Sequence, residues 1–263
     1  MGTLIYFVII FFGIFMGNTL TYFSVELSHI KIYKYSNCDV CNMPSSYFFP
    51  LYEYIKNKGR CSNCNSKLSI LPIITELVTP ILFVISFANL NTEPLFLNYV
   101  FNIIFISTLI MVFICDSRYM LIQDSILVIS GVALILLKIG MGIYNESITN
   151  FLDVGYQLIF FFYEGFFLFL IMYFIKLVGD KVFKKDTMGY GDVKLMFFVS
   201  VFLGWKLSVV VLFLSSFLAL PESIYNMAKK NGNMLAFGPY IVISSLILFI
   251  SNIDFPTLIS YIK

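Results

Sequence analysis

Two aspartates mark the places in this sequence where chemistry could take place. Asp116 ends the apolar run IIFISTLIMVFIC, and Asp192 precedes another in the stretch GYGDVKLMFF. A charged side chain inside a bilayer is costly, so an aspartate in such a place is a candidate functional residue. Two carboxylates that share a site do not both ionise easily, so one stays protonated. Such a pair can hydrolyse a peptide bond, because the carboxylate activates a water while its protonated partner hydrogen-bonds the scissile carbonyl.

The residues around Asp192 suit this role. We expect Gly189 and Gly191 to allow positive φ and to let a substrate backbone approach closely. Asp192 is expected in the first turn of a helix, where the helix dipole favours negative charge. Lys194 could hold Asp192 ionised or extend to the lipid headgroups. The alternative interpretation is that Asp192 is only a helix cap.

Other polar residues are also candidate functional residues. Asp124 is the alternative to Asp116 as the carboxylate that pairs with Asp192, although it could also cap the helix that begins there. Glu76, in LPIITELVTPILF, lies one turn into another apolar segment. We expect Glu76 to pair with a cation or polar group near the cysteine-containing loop, and it is a further functional candidate. The only histidine, His29, is interpreted as a loop residue, which excludes most schemes with a Ser-His or Cys-His nucleophile.

The composition determines the environment of these residues. The chain is 59% hydrophobic and 12% charged, whereas a soluble domain carries about 25% charged residues. It is therefore expected to be an all-α polytopic membrane protein, since a transmembrane helix needs about 20 apolar residues. We predict about eight transmembrane helices, at residues 3–24, 71–90, 95–115, 120–140, 151–177, 192–203, 206–226 and 235–252. The sixth is short, and the sixth and seventh could together form one re-entrant unit.

Lysine and arginine predict the orientation. Most of them fall in the loop 25–70 and in the segments that follow the third, fifth and seventh predicted helices. By the positive-inside rule this face is cytoplasmic and the N-terminus lies outside. Both aspartates then lie at the cytoplasmic ends of their helices. We divide the chain into a first transmembrane helix (1–24), a cytoplasmic loop (25–70) and a polytopic domain (71–263).

The cytoplasmic loop contains two Cys-x-x-Cys pairs. Cys38 and Cys41 form the first, in CDVC, and Cys61 and Cys64 form the second, in CSNC. Two such pairs supply four thiolates for one tetrahedral zinc ion. Because all four ligands are cysteines, no coordination position is open for a catalytic water, and the zinc is expected to be structural. Two disulfides are the alternative, which a cytoplasmic location disfavours. Cys115, outside the loop, is expected to be a small buried apolar residue.

Several stretches together resemble one family, the type IV prepilin peptidases, or leader peptidase/N-methyltransferases. These are membrane aspartyl proteases with a Gly-x-Gly-Asp motif. In chain order, the similar stretches are FFGIFMGNTLTYFS, the tetracysteine loop with the Glu76-bearing helix after it, ICDSRYMLIQDSI, GYGDVKLM and LAFGPYIVISSLI. The resemblance covers most of the chain and implies Asp116 and Asp192 as the catalytic pair. One departure is Gln123, where the family often has proline.

The resemblance implies two reactions. The first is cleavage of a short basic leader from prepilins or pseudopilins after a glycine, at the cytoplasmic face of the bacterial plasma membrane. The second is N-methylation of the new N-terminus with S-adenosylmethionine, for which we see no glycine-rich nucleotide motif. The lipid bilayer is the other expected partner, no nucleic acid is expected, and the oligomeric state is open. Two alternatives remain: a protease that only cleaves, and a non-enzymatic transporter or assembly factor.

Overall fold

The structure, a computed structural model, describes residues 2–26, 50–90, 92–184, 188–229, 235–252 and 255. Within these ranges it forms nine α-helices and one isolated β-bridge, between Arg60 and Lys67. The helices are α1 (Gly2–Glu26), α2 (Pro50–Lys56), α3 (Leu71–Ala88), α4 (Leu95–Tyr119), α5 (Asp124–Tyr144), α6 (Phe151–Phe183), α7 (Tyr190–Leu203), α8 (Trp205–Ala228) and α9 (Gly238–Ser251).

Membrane-spanning length divides these helices into two groups. In the described part of the chain, α1, α3, α4, α5, α6 and α8 are long and apolar enough to cross a bilayer. Helices α7 and α9 have 14 residues each. That is about 21 Å of helix, less than the roughly 30 Å of a hydrocarbon core. The chain is therefore an all-α polytopic membrane protein, and each of the eight predicted segments coincides with a helix, but eight full crossings are not confirmed.

The helix boundaries differ from the predicted ones where polar residues continue a helix. Helix α4 was predicted to end at residue 115 and runs on to Tyr119, so Asp116 lies inside its last turn. Helix α6 has 33 residues and extends past the predicted residue 177 to Phe183. Helix α2 was not predicted, because seven residues within a polar loop carry too little periodicity.

Helices α1 and α3 pack closely through small residues. A Cβ placed on Gly13 would lie 2.5 Å from the Cα of Pro80, and one on Gly17 would lie 2.7 Å from the carbonyl oxygen of Thr75. The two glycines are spaced as in the Gly-x-x-x-Gly motif that lets membrane helices approach. The hydroxyls of Thr21 and Thr75 are hydrogen-bonded across the contact at 2.8 Å. This contact anchors the first helix to the rest of the protein.

Aromatic packing joins α4, α7 and α9 in the interior. The ring of Phe105 on α4 is fully buried. Its centroid lies 5.9 Å from that of Phe198 on α7 and 4.8 Å from that of Phe249 on α9. Such aromatic pairs stabilise beyond the area they bury. The contact fixes the three helices that carry Asp116, Asp192 and Gly238.

A buried glutamate and a partly buried lysine hold the other end of α7, where it turns into α8. Gly204 has φ +83° at this turn, a conformation that glycine adopts without strain. The carboxylate of Glu164 on α6 accepts a hydrogen bond from the backbone N–H of Trp205, the first residue of α8. Lys138 on α5 donates to the carbonyl oxygen of Phe202 at 3.3 Å and lies 4.9 Å from the ring centre of Phe161. These contacts fix the two helices of the turn relative to each other.

Candidate active site

The structure brings Asp116 and Asp192 together. Asp116 lies in the last turn of α4 and is 5% exposed, while Asp192 lies in the first turn of α7 and is 8% exposed. The two carboxylates are near enough for the charge of Asp116 to act on Asp192. Two residues far apart in the sequence, one at the end of α4 and one at the start of α7, thus form one buried acidic pair.

Each carboxylate also faces the start of a helix. The carboxylate of Asp116 lies against Gly238, the first residue of α9, and faces its backbone N–H. The carboxylate of Asp192 faces the backbone N–H of Gly189, the residue that caps α7. The partial positive charge at a helix N-terminus stabilises negative charge. Both backbone N–H groups therefore favour an ionised carboxylate in the site.

One oxygen of the pair still has hydrogen-bonding capacity. Within the described ranges, Oδ2 of Asp116 is buried and makes no hydrogen bond of good geometry. Buried polar atoms are normally hydrogen-bonded, and one that is not needs an explanation. This oxygen is available as an acceptor for a group that enters the site, as hydrolysis by a carboxylate pair requires.

The glycines of the motif act differently from what the sequence suggested. The expectation of positive φ is wrong: Gly189 has φ −70°, and Gly191 lies inside α7. Gly191 instead packs against the segment between α4 and α5, where a Cβ would lie 2.9 Å from the Cβ of Ile122. A Cβ on Gly189 would meet only ordinary contacts, the nearest at 3.6 Å from Oδ2 of Asp192. Approach of a substrate backbone to either glycine stays a prediction.

Lys194 pairs with Asp124 in this structure. Its Nζ lies 2.8 Å from Oδ1 and 2.7 Å from Oδ2 of Asp124, which is the first residue of α5. Both side chains are exposed, so the pair contributes at most about 1 kcal/mol to stability. Asp124 is thus held by Lys194, whereas Asp116 is the carboxylate that acts on Asp192.

An apolar groove lies beside the site. It has a volume of about 380 Å³ and is lined by one face each of α5, α6 and α7, with the Asp124–Lys194 pair at one end. Asp192 is not among the residues that line it. The groove gives α7 an accessible apolar surface that begins at Lys194, two residues after Asp192.

The second cysteine pair lies in a tight turn. The backbone N–H of Cys61 donates to the carbonyl oxygen of Ser66 at 2.8 Å, and that of Asn65 donates to the carbonyl oxygen of Cys61 at 3.0 Å. Cys38 and Cys41 lie outside the described residues. In the described part of the chain, no group of three or more His, Cys, Asp or Glu residues could hold a metal ion. The four-cysteine zinc site therefore stays a prediction.

Glu76 connects the cysteine loop to α3. It is 3% exposed, and its Oε2 accepts a hydrogen bond from the backbone N–H of Leu51, at 2.9 Å. Leu51 is in the first turn of α2, so the carboxylate also lies at a helix N-terminus. The polar group near Glu76 is thus a backbone N–H, and the contact positions the cysteine-containing segment.

The sequence did not identify two residues that lie near the aspartates, Gly238 and Lys176. Gly238 was noted only as part of a similar stretch, although the space that its missing side chain leaves is filled by the carboxylate of Asp116. Lys176 was counted only toward the orientation, yet it is 3% exposed at the end of α6. A lysine within the apolar stretch YFIKLV was a usable signal, because charged residues in such stretches are rarely incidental.

Comparison with known proteins places these residues in context. Residues 103–224 match the type IV leader peptidase family, and residues 10–90 match the bacterial peptidase A24 N-terminal domain. Asp116 and Asp192 fall in the first match, and the cysteine loop and Glu76 fall in the second. Together the two matches cover most of the chain.

Similar curated proteins carry the name prepilin leader peptidase/N-methyltransferase. The protein of Dichelobacter nodosus is 24% identical over 212 residues, which is 81% of this chain and 68% of that protein. That of Neisseria gonorrhoeae is 27% identical over 220 residues, 82% and 71% of the two chains. That of Aeromonas salmonicida is 27% identical over 224 residues, 81% and 69%. No solved structure matches the chain.

Proposed function

Since this chain belongs to the type IV leader peptidase family, we propose that it is a membrane aspartyl endopeptidase in which Asp116 and Asp192 cleave the leader of prepilins or pseudopilins. The observation that carries this proposal is the buried carboxylate pair itself. Each member faces a helix N-terminus, and Asp116 lies close enough for its charge to act on Asp192. An aspartyl peptidase requires this arrangement, because one carboxylate must be ionised while the other holds a proton.

The proposed mechanism needs only the two carboxylates and a water. The ionised carboxylate takes a proton from the water, whose oxygen attacks the scissile carbonyl carbon. The protonated carboxyl hydrogen-bonds the carbonyl oxygen and stabilises the negative charge that develops there. Collapse of the tetrahedral intermediate breaks the carbon–nitrogen bond, and the leaving amine takes a proton from the pair.

The substrate is proposed from the basic residues that lie near the aspartates. Arg118, Lys181 and Lys184 lie at the same end of the helices as the aspartates, and an excess of basic residues is typical of a cytoplasmic face. A single-span substrate with its cleavage site at the cytoplasmic edge of the membrane would present a peptide bond at this depth. This position suits removal of a short basic leader that stays on the cytoplasmic side.

Methylation of the new N-terminus is proposed from the names of the similar proteins. S-adenosylmethionine would supply the methyl group. The described residues are helical apart from turns and one isolated bridge, which does not fit a strand–glycine loop–helix nucleotide site. We therefore assign no residues to this donor and derive no step through it.

A structural zinc ion is proposed for the cytoplasmic loop. The turn at Cys61 and Cys64 places two thiols three residues apart on a short hairpin, which fits one half of a four-cysteine site. Cys38 and Cys41 would complete the ligand set. The ion would cross-link the two halves of the loop, and the Glu76–Leu51 hydrogen bond would attach the loop to α3.

The proposal is tested by the mass of the product. The purified protein is incubated in detergent with a synthetic prepilin and S-adenosylmethionine, beside the Asp192→Asn variant. We expect the wild type to give a leaderless product with one added methyl group, and the variant to give none. Cleavage without methylation would support the cleavage-only alternative. Absence of cleavage by folded wild type would contradict the proposal and favour a transporter or assembly factor.

A further inference from the structure

A buried lysine contacts the segment that leads into α7. Lys176, near the end of α6, donates from Nζ to Oδ2 of Asp180 at 2.8 Å and to the carbonyl oxygen of Met188 at 2.8 Å. Its ammonium also lies 4.6 Å from the centre of the Tyr190 ring, within the range of a cation–π contact. The lysine therefore holds the chain on both sides of Gly189.

The same peptide unit connects Lys176 to Asp192. The carbonyl oxygen of Met188 and the N–H of Gly189 belong to one planar peptide group. The carbonyl accepts from Lys176. The N–H faces the carboxylate of Asp192, whose Oδ2 lies 3.6 Å from where a Cβ on Gly189 would be. A cation on the carbonyl and an anion near the N–H polarise the peptide group in the same direction. One peptide group thus lies between the lysine and the aspartate.

We propose that Lys176 is a positioning residue for Asp192, which orients and polarises the Met188–Gly189 peptide group whose N–H faces the carboxylate. This inference rests on the proposed function, because it assigns a role in the peptidase reaction. Lys176 does not touch the reacting atoms. It fixes the place of the carboxylate at the start of α7, so its loss slows the chemical step more than it weakens substrate binding.

A structural ion pair is the competing explanation. An i,i+4 pair with Asp180 at a helix end would need no further partner. Among the described residues, Lys176 also contacts Met188 and Tyr190, which lie on either side of Gly189. The two explanations differ in their consequences, since a simple ion pair predicts that Lys176 and Asp180 variants behave alike.

The experiment compares four variants in the prepilin cleavage assay. Lys176→Met removes the charge and keeps an unbranched side chain, while Lys176→Arg keeps the charge. Asp180→Asn removes the ion pair with Lys176, and Lys181→Met is the matched control, because Lys181 is an exposed lysine on the same helix. We measure kcat and KM, the thermal unfolding midpoint, and hydrogen–deuterium exchange of the peptide that contains residues 188–192.

We expect Lys176→Met to lower kcat by about 100-fold, with KM within about threefold of the wild type. Exchange should become faster at 188–192 and stay unchanged in α4. Lys176→Arg should recover part of kcat, and Asp180→Asn and Lys181→Met should stay near the wild type. If Lys176→Met does not fold, the test rests on the other two variants. Lys176→Arg should then lose part of kcat, while Asp180→Asn keeps the kcat of the wild type.

Three results would overturn the inference: a normal kcat for Lys176→Met, equal losses for Lys176→Met and Asp180→Asn, or a loss confined to KM. Failure of the proposed function has a different signature, because the wild type would then not cleave the prepilin at all.

Discussion

Gly191 is the residue whose size most directly limits how closely α7 can approach Ile122. The Cβ of an alanine at this position would lie 2.9 Å from the Cβ of Ile122, with further contacts at 3.3 and 3.4 Å to the same side chain. Overpacking of this kind costs about 1–3 kcal/mol and moves the backbone. A shift of the first turn of α7 would move Asp192 relative to Asp116, so packing and chemistry are coupled here.

We therefore predict that Gly191→Ala lowers kcat/KM for prepilin cleavage by about tenfold or more. The double variant Gly191→Ala/Ile122→Ala should recover part of this loss, because the shortened side chain leaves room for the new methyl group. Steady-state cleavage of a synthetic prepilin measures both. Full activity of Gly191→Ala, or no recovery in the double variant, would show that contact with Ile122 does not set the position of Asp192.

A substitution at Gly189 can affect activity without affecting stability. An alanine there has room in the protein, since its nearest contact would be at 3.6 Å. The thermal unfolding midpoint of Gly189→Ala should therefore match that of the wild type, whatever happens to its activity. Any loss of cleavage in a stable Gly189→Ala variant would arise from the substrate or from the carboxylate beside it.

At the scale of elements, the contact between α1 and α3 depends on two glycines. The carbonyl oxygen of Thr75 lies 2.7 Å from where the Cβ of an alanine at position 17 would be, and a backbone atom cannot yield as a flexible side chain can. We predict that Gly17→Ala destabilises the protein by about 1–3 kcal/mol, seen as a lower thermal unfolding midpoint in detergent.

Gly155 provides the matched control for this prediction. It also lies in a membrane helix, α6, but a Cβ there would meet nothing within 4 Å. Gly155→Ala should leave the unfolding midpoint unchanged or raise it slightly, because alanine favours helix over glycine. Equal midpoints for the two variants would mean that α1 and α3 do not need the close approach seen here.

The elements themselves were largely predictable, because apolar length is a strong signal in a membrane protein. All eight predicted segments coincide with helices, and the errors lie at their ends. Helix α4 was predicted one turn too short, since Asp116 and Arg118 interrupt the apolar run but do not break the helix. Pairings such as Lys194 with Asp124 were not predictable, because side-chain partners depend on how helices rotate against each other.

At the scale of the whole molecule, the fold brings the ends of α4, α6, α7 and α9 to one place. Helices α4 and α7 supply the carboxylates, α9 supplies the N–H of Gly238, and α6 supplies Lys176. The sequence indicated the two aspartates through their places at the ends of apolar runs, and the distribution of lysine and arginine put both on one face. It could not predict Gly238 or Lys176 as neighbours of the site, because they come from helices whose packing no local pattern encodes.

The cysteine loop yields a prediction about the intact chain. Protein purified without chelator should contain zinc in an equimolar amount, measured by mass spectrometry of the metal content. Cys61→Ser and Cys38→Ser should each lose most of it, because a tetrahedral thiolate site rarely tolerates loss of a ligand. Cys115→Ser is the control and should keep the metal, since Cys115 is buried on α4 and donates to the carbonyl oxygen of Ser24. Zinc-free wild type with full thiol content would contradict the site.

The most direct test of the central claim asks which carboxylate works with Asp192. Asp116 acts on Asp192 in the structure, whereas Asp124 is paired with Lys194. The rate of leader release is measured for Asp116→Asn and Asp124→Asn under identical conditions, with folding verified by the unfolding midpoint. We predict that Asp116→Asn abolishes cleavage and that Asp124→Asn keeps at least about a tenth of the wild-type rate. Cleavage by Asp116→Asn together with an inactive Asp124→Asn would contradict the assignment of the catalytic pair.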